Sequence, residues 1–165
     1  VLDGQPSSKA KAMAYSNMAQ LKMLTEKLDE CLYWGEKAIK IAKELNDEET
    51  LSHALNNVGT IQMTQGLKEK GNELVRQSLE IALKNSYNEH AARAYTNLGC
   101  NWLILKNYPE AERFFEEGER RSLRAVHQPL GFEEARPVGR KVAAAKADPV
   151  LAGKDDSRRL PQADP

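Results

Sequence analysis

The 165-residue chain carries 24 basic and 24 acidic side chains, so its formal net charge is zero and no global field draws it to nucleic acid or an anionic membrane. Its composition, 41% hydrophobic but only 6% aromatic, suits one ordinary core or one short repeat array built from helices. The two cysteines, Cys31 and Cys100, fall inside amphipathic patterns and not at disulfide or metal-ligand spacing, which points to a reducing, cytoplasmic compartment. No apolar run approaches the ~18–20 residues of a membrane span, and no signal peptide opens the chain. It begins with Val1 rather than Met, which suggests a piece of a longer or processed protein.

Residues 1–8 are a lead-in containing Gly4 and Pro6, with Ser7 or Ser8 placed to cap a first helix. That helix is expected from about Lys9 to Thr25, its apolar stripe formed by Ala12, Tyr15, Met18, Ala19 and Leu21. After a turn near Glu26–Lys27, a second helix from about Leu28 to Leu45 puts Cys31, Leu32, Gly35, Ala38, Ile39 and Ala42 on one face. Asn46-Asp47 ends it and caps the next, with Glu48 and Glu49 at a helix start that favours negative charge.

The same unit then recurs. A third helix from Glu48 to about Gln65 stops at Gly66, and a fourth runs from about Lys68 to Lys84. Asn85-Ser86-Tyr87-Asn88 makes the turn into a fifth helix, about Glu89 to Leu105. Pro109 then opens the sixth at a first helical position, where its missing N–H costs nothing. Ala14-Tyr15-Ser16-Asn17-Met18-Ala19, Ala54-Leu55-Asn56-Asn57-Val58-Gly59 and Ala94-Tyr95-Thr96-Asn97-Leu98-Gly99 state one motif three times, forty residues apart. Cys31, Gly71 and Ala111 form one set of equivalent small residues, Ala38, Ser78 and Gly118 another, and Met18, Val58 and Leu98 a set of large ones. A single hairpin of this kind cannot bury its apolar face alone, so neighbours must stack.

Leu98-Gly99, Trp102, Ala111, Phe115 and Gly118, spaced as they are, resemble the tetratricopeptide repeat pattern of a large residue, Gly, an aromatic, Ala, an aromatic and a small residue. Val58-Gly59, Gly71, Val75 and Ser78 match it more loosely, as do Met18-Ala19, Cys31 and Ala38. The departure is the period, forty residues where the family has thirty-four, which implies longer helices. Repeats of this length are similar to those in the helical regions of bacterial LuxR-type ATP-dependent transcriptional regulators. The expected fold is all-α: a right-handed α-solenoid of three antiparallel hairpins over residues 9–122, with repeats at about 9–46, 47–86 and 87–122.

After Gly118 the pattern fails. Glu119 stands where Ile39 and Leu79 stood, and Arg121 where Ile41 and Ile81 stood. Residues 123–165 have no sustained period and hold five of the seven prolines, so they are expected to be largely disordered. A linker, a protein-specific tail and a shifted reading frame all remain open as origins.

Three asparagines at equivalent mid-helix positions, Asn17, Asn57 and Asn97, ask for a reason, because Asn is a mediocre helix former. The resemblance implies that the first helix of each pair lines a concave groove, where amides hold the main chain of an extended peptide. The alternative is that each Asn fixes the register between repeats. Asn56, His53, Arg93, Thr60 and Gln20 lie on the same face, and His53 and Arg93 are candidates to meet a carboxylate.

No catalytic constellation, phosphate loop or cofactor motif is present, and His53, His90 and His127 lack metal-ligand spacing. Arg120, Arg121 and Arg124 lack the interleaved aromatics of a nucleic-acid surface. The expectation is a non-catalytic scaffold for a protein or peptide partner, a fragment of a larger signalling or transcriptional regulator. The alternative is a homo-oligomer formed through the uncapped end of the array.

Overall fold

A computed structural model describes residues 4–127. Six helices follow one another as antiparallel hairpins: α1 (Lys9–Leu24) with α2 (Leu28–Glu44), α3 (Glu48–Thr64) with α4 (Lys68–Asn85), and α5 (Asn88–Ile104) with α6 (Tyr108–His127). This is the expected α-solenoid, with every helix boundary up to the start of α6 within a residue or so of its expected place. The first helices α1 and α3 pack on their own partners and on the next hairpin, α3 touching α1, α2, α4 and α5. Among the described residues no helix is long and apolar enough to cross a membrane.

The helix starts are capped as the sequence implies. Ser8 Oγ accepts the Lys11 N–H at 3.2 Å, and Asp47 takes the Thr50 N–H at 3.4 Å and the Thr50 hydroxyl at 2.7 Å. The helix ends share a device that the sequence shows only at Gly66. Glu26, Asn46, Gly66, Ser86 and Lys106 stand twenty residues apart, and all five are left-handed, with φ of 55, 50, 88, 60 and 58°. In each case the next residue's N–H closes back on the helix: Lys27 on Lys22 O, Asp47 on Ala42 O, Leu67 on Gln62 O, Tyr87 on Ala82 O and Asn107 on Trp102 O, at 2.8–3.0 Å. This closure satisfies carbonyls that a helix end would otherwise leave orphaned. Four of the five turns therefore bear a Cβ where glycine is cheaper.

The small residues sit where backbones meet. A Cβ on Gly59 would lie 2.6 Å from Gly71 O, and one on Gly71 would lie 2.5 Å from Gly59 O, so α3 and α4 are in backbone contact there. Between hairpins the fit is small against large: a Cβ on Gly35 would run into the Val58 side chain, and Val58 is only 4% exposed. In the third hairpin Phe115 lies over Gly99, where an added Cβ would come within 2.8 Å of its ring. Cys31, Ala38 and Ser78 are fully buried and Ala111 nearly so, as the register of small residues requires.

One expectation needs correction. The array was expected to give way to a tail from residue 123, yet α6 continues to His127. Glu117, which is 7% exposed, pairs with Arg120 at 2.7 Å and with Arg121 at 2.9 Å, so the polar residues that break the apolar pattern are satisfied along the helix itself. The expectation for residues 128–165 lies outside the described residues.

The turns and the glycine contact are open to measurement. Lys106→Gly should stabilise the chain by ~0.5–1 kcal/mol in urea unfolding, and Gly66→Ala should destabilise it by about 1 kcal/mol or more. Gly71→Ala should cost about 1–3 kcal/mol, read as a lowered thermal midpoint, because Gly59 O and Met63 N, two of the three nearest atoms, are backbone and cannot step aside. A neutral Gly71→Ala would show that α3 and α4 can separate freely.

Candidate functional site

The first helices α1, α3 and α5 lie side by side, and their polar residues meet across them. Asn57 is fully buried; its Nδ2 donates to Ser16 O on α1 at 3.2 Å, and its Oδ1 accepts from Arg93 Nη2 on α5 at 3.0 Å. His53, one turn earlier on α3, bonds through Nδ1 to Ser16 Oγ at 2.7 Å. Asn97 on α5 donates through Nδ2 to Asn56 Oδ1 at 2.8 Å and to Thr60 Oγ1 at 2.9 Å, while Thr60 donates to Asn56 O at 2.7 Å. Asn17 is exposed and has no hydrogen-bond partner among the described residues.

Four of these five bonds between helices obey one stagger, and the fifth, from Arg93 to Asn57, spans 36 residues. Ser16 meets His53 and Thr60 meets Asn97 at separations of 37 residues, and Ser16 meets Asn57 and Asn56 meets Asn97 at 41. Adjacent equivalent helices thus interlock three residues short of the period and one beyond it. The same stagger brings His90 to His53, ring centroids 5.5 Å apart and edge to face, a pair that no local spacing reveals. Burial pushes the His53 imidazole down to about 3, with the nearby Arg93 and His90 charges adding to the effect. His90 is lowered mainly by burial, against the pull of Glu49, whose Oε1 lies 3.8 Å from its Nε2. His53 is therefore neutral near pH 7, and the cation of this group is Arg93, itself half-buried.

A groove of about 590 Å³ opens beside the network. Its walls are Gln20, Met23 and Leu24 at the end of α1, Glu89, Ala92, Arg93, Thr96 and Asn97 on α5, and Ser122, Ala125 and Val126 on the extended end of α6. Of the eight residues singled out in the sequence, Gln20, Arg93 and Asn97 face this groove. Asn56, Asn57 and His53 are buried behind it, and half-buried Thr60 holds Asn97. Arg93 has one bond, to Asn57, and its other N–H groups have no acceptor among the described residues. The contribution of α6 was invisible in the sequence, because the helix was not expected to reach that far. Among the described residues, no three His, Cys, Asp or Glu side chains come together as a metal site.

Comparison with known proteins agrees with this architecture. Residues 91–121 match the family model described as tetratricopeptide repeat. The crystal structure of the TPR domain of Arabidopsis FLU superposes with a TM-score of 0.60 at 15% identity, covering 71% of this chain and 99% of that one. No curated protein matches. The chain is tetratricopeptide-like in its repeats and in its fold.

The buried histidines give the network a pH signature. A base whose folded value is depressed leaves stability intact above the ordinary histidine value near 6.5 and removes it as pH falls toward about 3. While His53 protonates only on unfolding, each pH unit in that window costs about 1.4 kcal/mol. His53→Gln should flatten the fall of the thermal midpoint between pH 6.5 and 4 relative to wild type. Parallel curves for the two proteins would rule out protonation of His53 as a cause.

Proposed function

We infer that the chain is a non-catalytic scaffold that holds an extended segment of a protein partner in the groove between α1, α5 and the end of α6. The observation that carries this reading is the composition of that groove. Arg93, whose N–H groups beyond the bond to Asn57 have no hydrogen-bond acceptor among the described residues although the Glu89 charge lies nearby on the same wall, and Asn97, whose Oδ1 has no donor among them, stand beside an apolar strip of Met23, Leu24, Ala125 and Val126. A main chain with a carboxylate and an apolar side chain within a few residues of each other suits both parts. The asparagine ladder divides its labour: Asn57 fixes register, Asn97 both fixes register and faces the groove, and Asn17 is exposed. Asn56, His53 and Thr60 act by holding Arg93 and Asn97 in place. Tetratricopeptide-like arrays generally serve as interaction scaffolds, which supports the reading.

The forty-residue period supports a place within a larger cytoplasmic regulator of the LuxR type, with transcriptional control as the wider setting. The two free thiols fit a reducing compartment.

Titration with fluorescent extended peptides, selected from an array varied in carboxylate and apolar content, tests the groove. Arg93→Gln should weaken binding by about ten- to a hundredfold, the range expected when a charge-assisted hydrogen bond is lost. Leu24→Ser, at a residue 68% exposed, should weaken it several-fold with the helical circular dichroism unchanged. Full affinity in both folded variants would sink the groove reading.

A further inference from the structure

The joint between the first two hairpins sets a pattern whose two halves recur at the two faces of the described array that no described hairpin covers. At the joint between the first two hairpins, Ile61 of α3 is 1% exposed and packs with Ala19 and Cys31, with Met23 and Leu28 against them. Moved forward by two periods, the receiving side of that joint becomes Gly99, Leu103, Tyr108 and Ala111. On this face Leu103 is 48% and Tyr108 62% exposed; with Ala111 and Phe115 they line a depression of about 650 Å³ that no described helix fills. Moved back by one period, the inserting side becomes α1: Leu21 stands in the place of Ile61 and is 53% exposed, and Met18 stands in the place of buried Val58 and is half-exposed.

Two further observations bear on what would fill the depression. Charge is the first. Its rim is acidic, with Glu112, Glu116 and Glu119 all exposed, whereas α1 carries no carboxylate and has Lys9 and Lys11 in its first turn, its third lysine, Lys22, being paired with Glu30 of α2. Glu119 occupies the place of Ile39, which in the first joint packs on the cluster that contains Ala54 of the N-terminal half of α3; in α1 that half contains Lys9 and Lys11. The asparagine ladder is the second. Asn57 and Asn97 each bond back to the preceding hairpin, and Asn17 is the rung that has no preceding hairpin among the described residues. By the 41-residue stagger, the group Asn17 would meet in a continued array is the main-chain carbonyl of Thr96, the counterpart of Ser16.

We propose that a second copy of this chain stacks head to tail on the first, its α1 laid on the open face of α5 and α6 so that the forty-residue register runs on from one molecule into the next. Leu21 of the incoming copy enters between Leu103, Tyr108 and Ala111, its Lys9 and Lys11 meet the acidic rim, and Asn17 acquires a bond back to a preceding hairpin, as Asn57 and Asn97 have. The two surfaces are different patches, so the contact is heterologous and does not close on itself: association continues beyond the dimer as concentration rises.

Sedimentation velocity on the full chain, from micromolar to millimolar, tests this. The weight-average mass should climb past that of a dimer without a plateau, and less steeply at high salt because the rim pairs are exposed. Leu21→Glu and Leu103→Glu should each be monomeric at concentrations where the wild type associates, with unchanged circular dichroism; if Leu103→Glu fails to fold, Tyr108→Glu carries the same test. An equimolar mixture of the two variants should regain association but stop at a heterodimer, because one intact inserting face and one intact receiving face remain. A chain that is monomeric at every concentration overturns the proposal. So does a dimer that Leu21→Glu leaves intact, which would mean a symmetric contact through the α6 ends, and so does a mixture of folded variants that stays monomeric.

Discussion

Asn57 joins three hairpins at once. Its amide nitrogen donates to the Ser16 carbonyl of α1 and its oxygen receives the Arg93 guanidinium of α5, and the whole side chain is sealed from water. Inside a low-dielectric interior both bonds are stronger than they would be in water, and leaving either partner unpaired is correspondingly costly. An apolar joint alone tolerates small sliding; a buried amide with two fixed partners does not. The apolar joints set the register of the array, and this one side chain, with the Asn97 fork that repeats the idea one hairpin later, locks it.

The groove is a consequence of that register. Arg93 is presented because Asn57 holds one edge of its guanidinium, and Asn97 because Asn56 and Thr60 take its amide N–H groups. Arg93 and Asn97 are thus held in fixed positions on the groove wall by Asn57, Asn56 and Thr60. The apolar half of the groove comes from elsewhere, from the ends of α1 and α6. Met23 and Leu24 of the first hairpin face Arg93 and Asn97 of the third only while the hairpins keep their stagger, whereas Ala125 and Val126 come from the same hairpin as Arg93 and Asn97.

At the far end, α6 shows how a repeat can lose its pattern without losing its helix. Ile39 and Leu79 give way to Glu119, and Ile41 and Ile81 to Arg121, so the face that would receive another hairpin turns polar along half its length. The helix persists because Glu117 holds Arg120 and Arg121 and because it packs along α5 through Ala111, Phe114 and Gly118. Its other half stays apolar around Leu103, Tyr108 and Phe115.

The sequence by itself determined the six helices, their pairing into hairpins and the small-against-large register. Apolar residues recurring at helical spacing, Ser8 and Asp47 at caps, and Gly66 and Pro109 at boundaries are local signals that act over a few residues of chain. The left-handed state of Glu26, Ser86 and Lys106 was hidden, because nothing in those side chains prefers it; the position in the period imposes it. What only the tertiary structure decided is which polar side chains bind one another. Separations of 37 and 41 depend on the axial offset between parallel neighbouring helices, and that offset is fixed by how Val58 packs on Gly35 and Ile61 on Cys31, not by any residue's own preference. Forty residues of spacing could mark Asn17, Asn57 and Asn97 as equivalent. Only the offset, set by side-chain volumes at the joints, buried the second, gave the third both a partner and a groove, and left the first exposed.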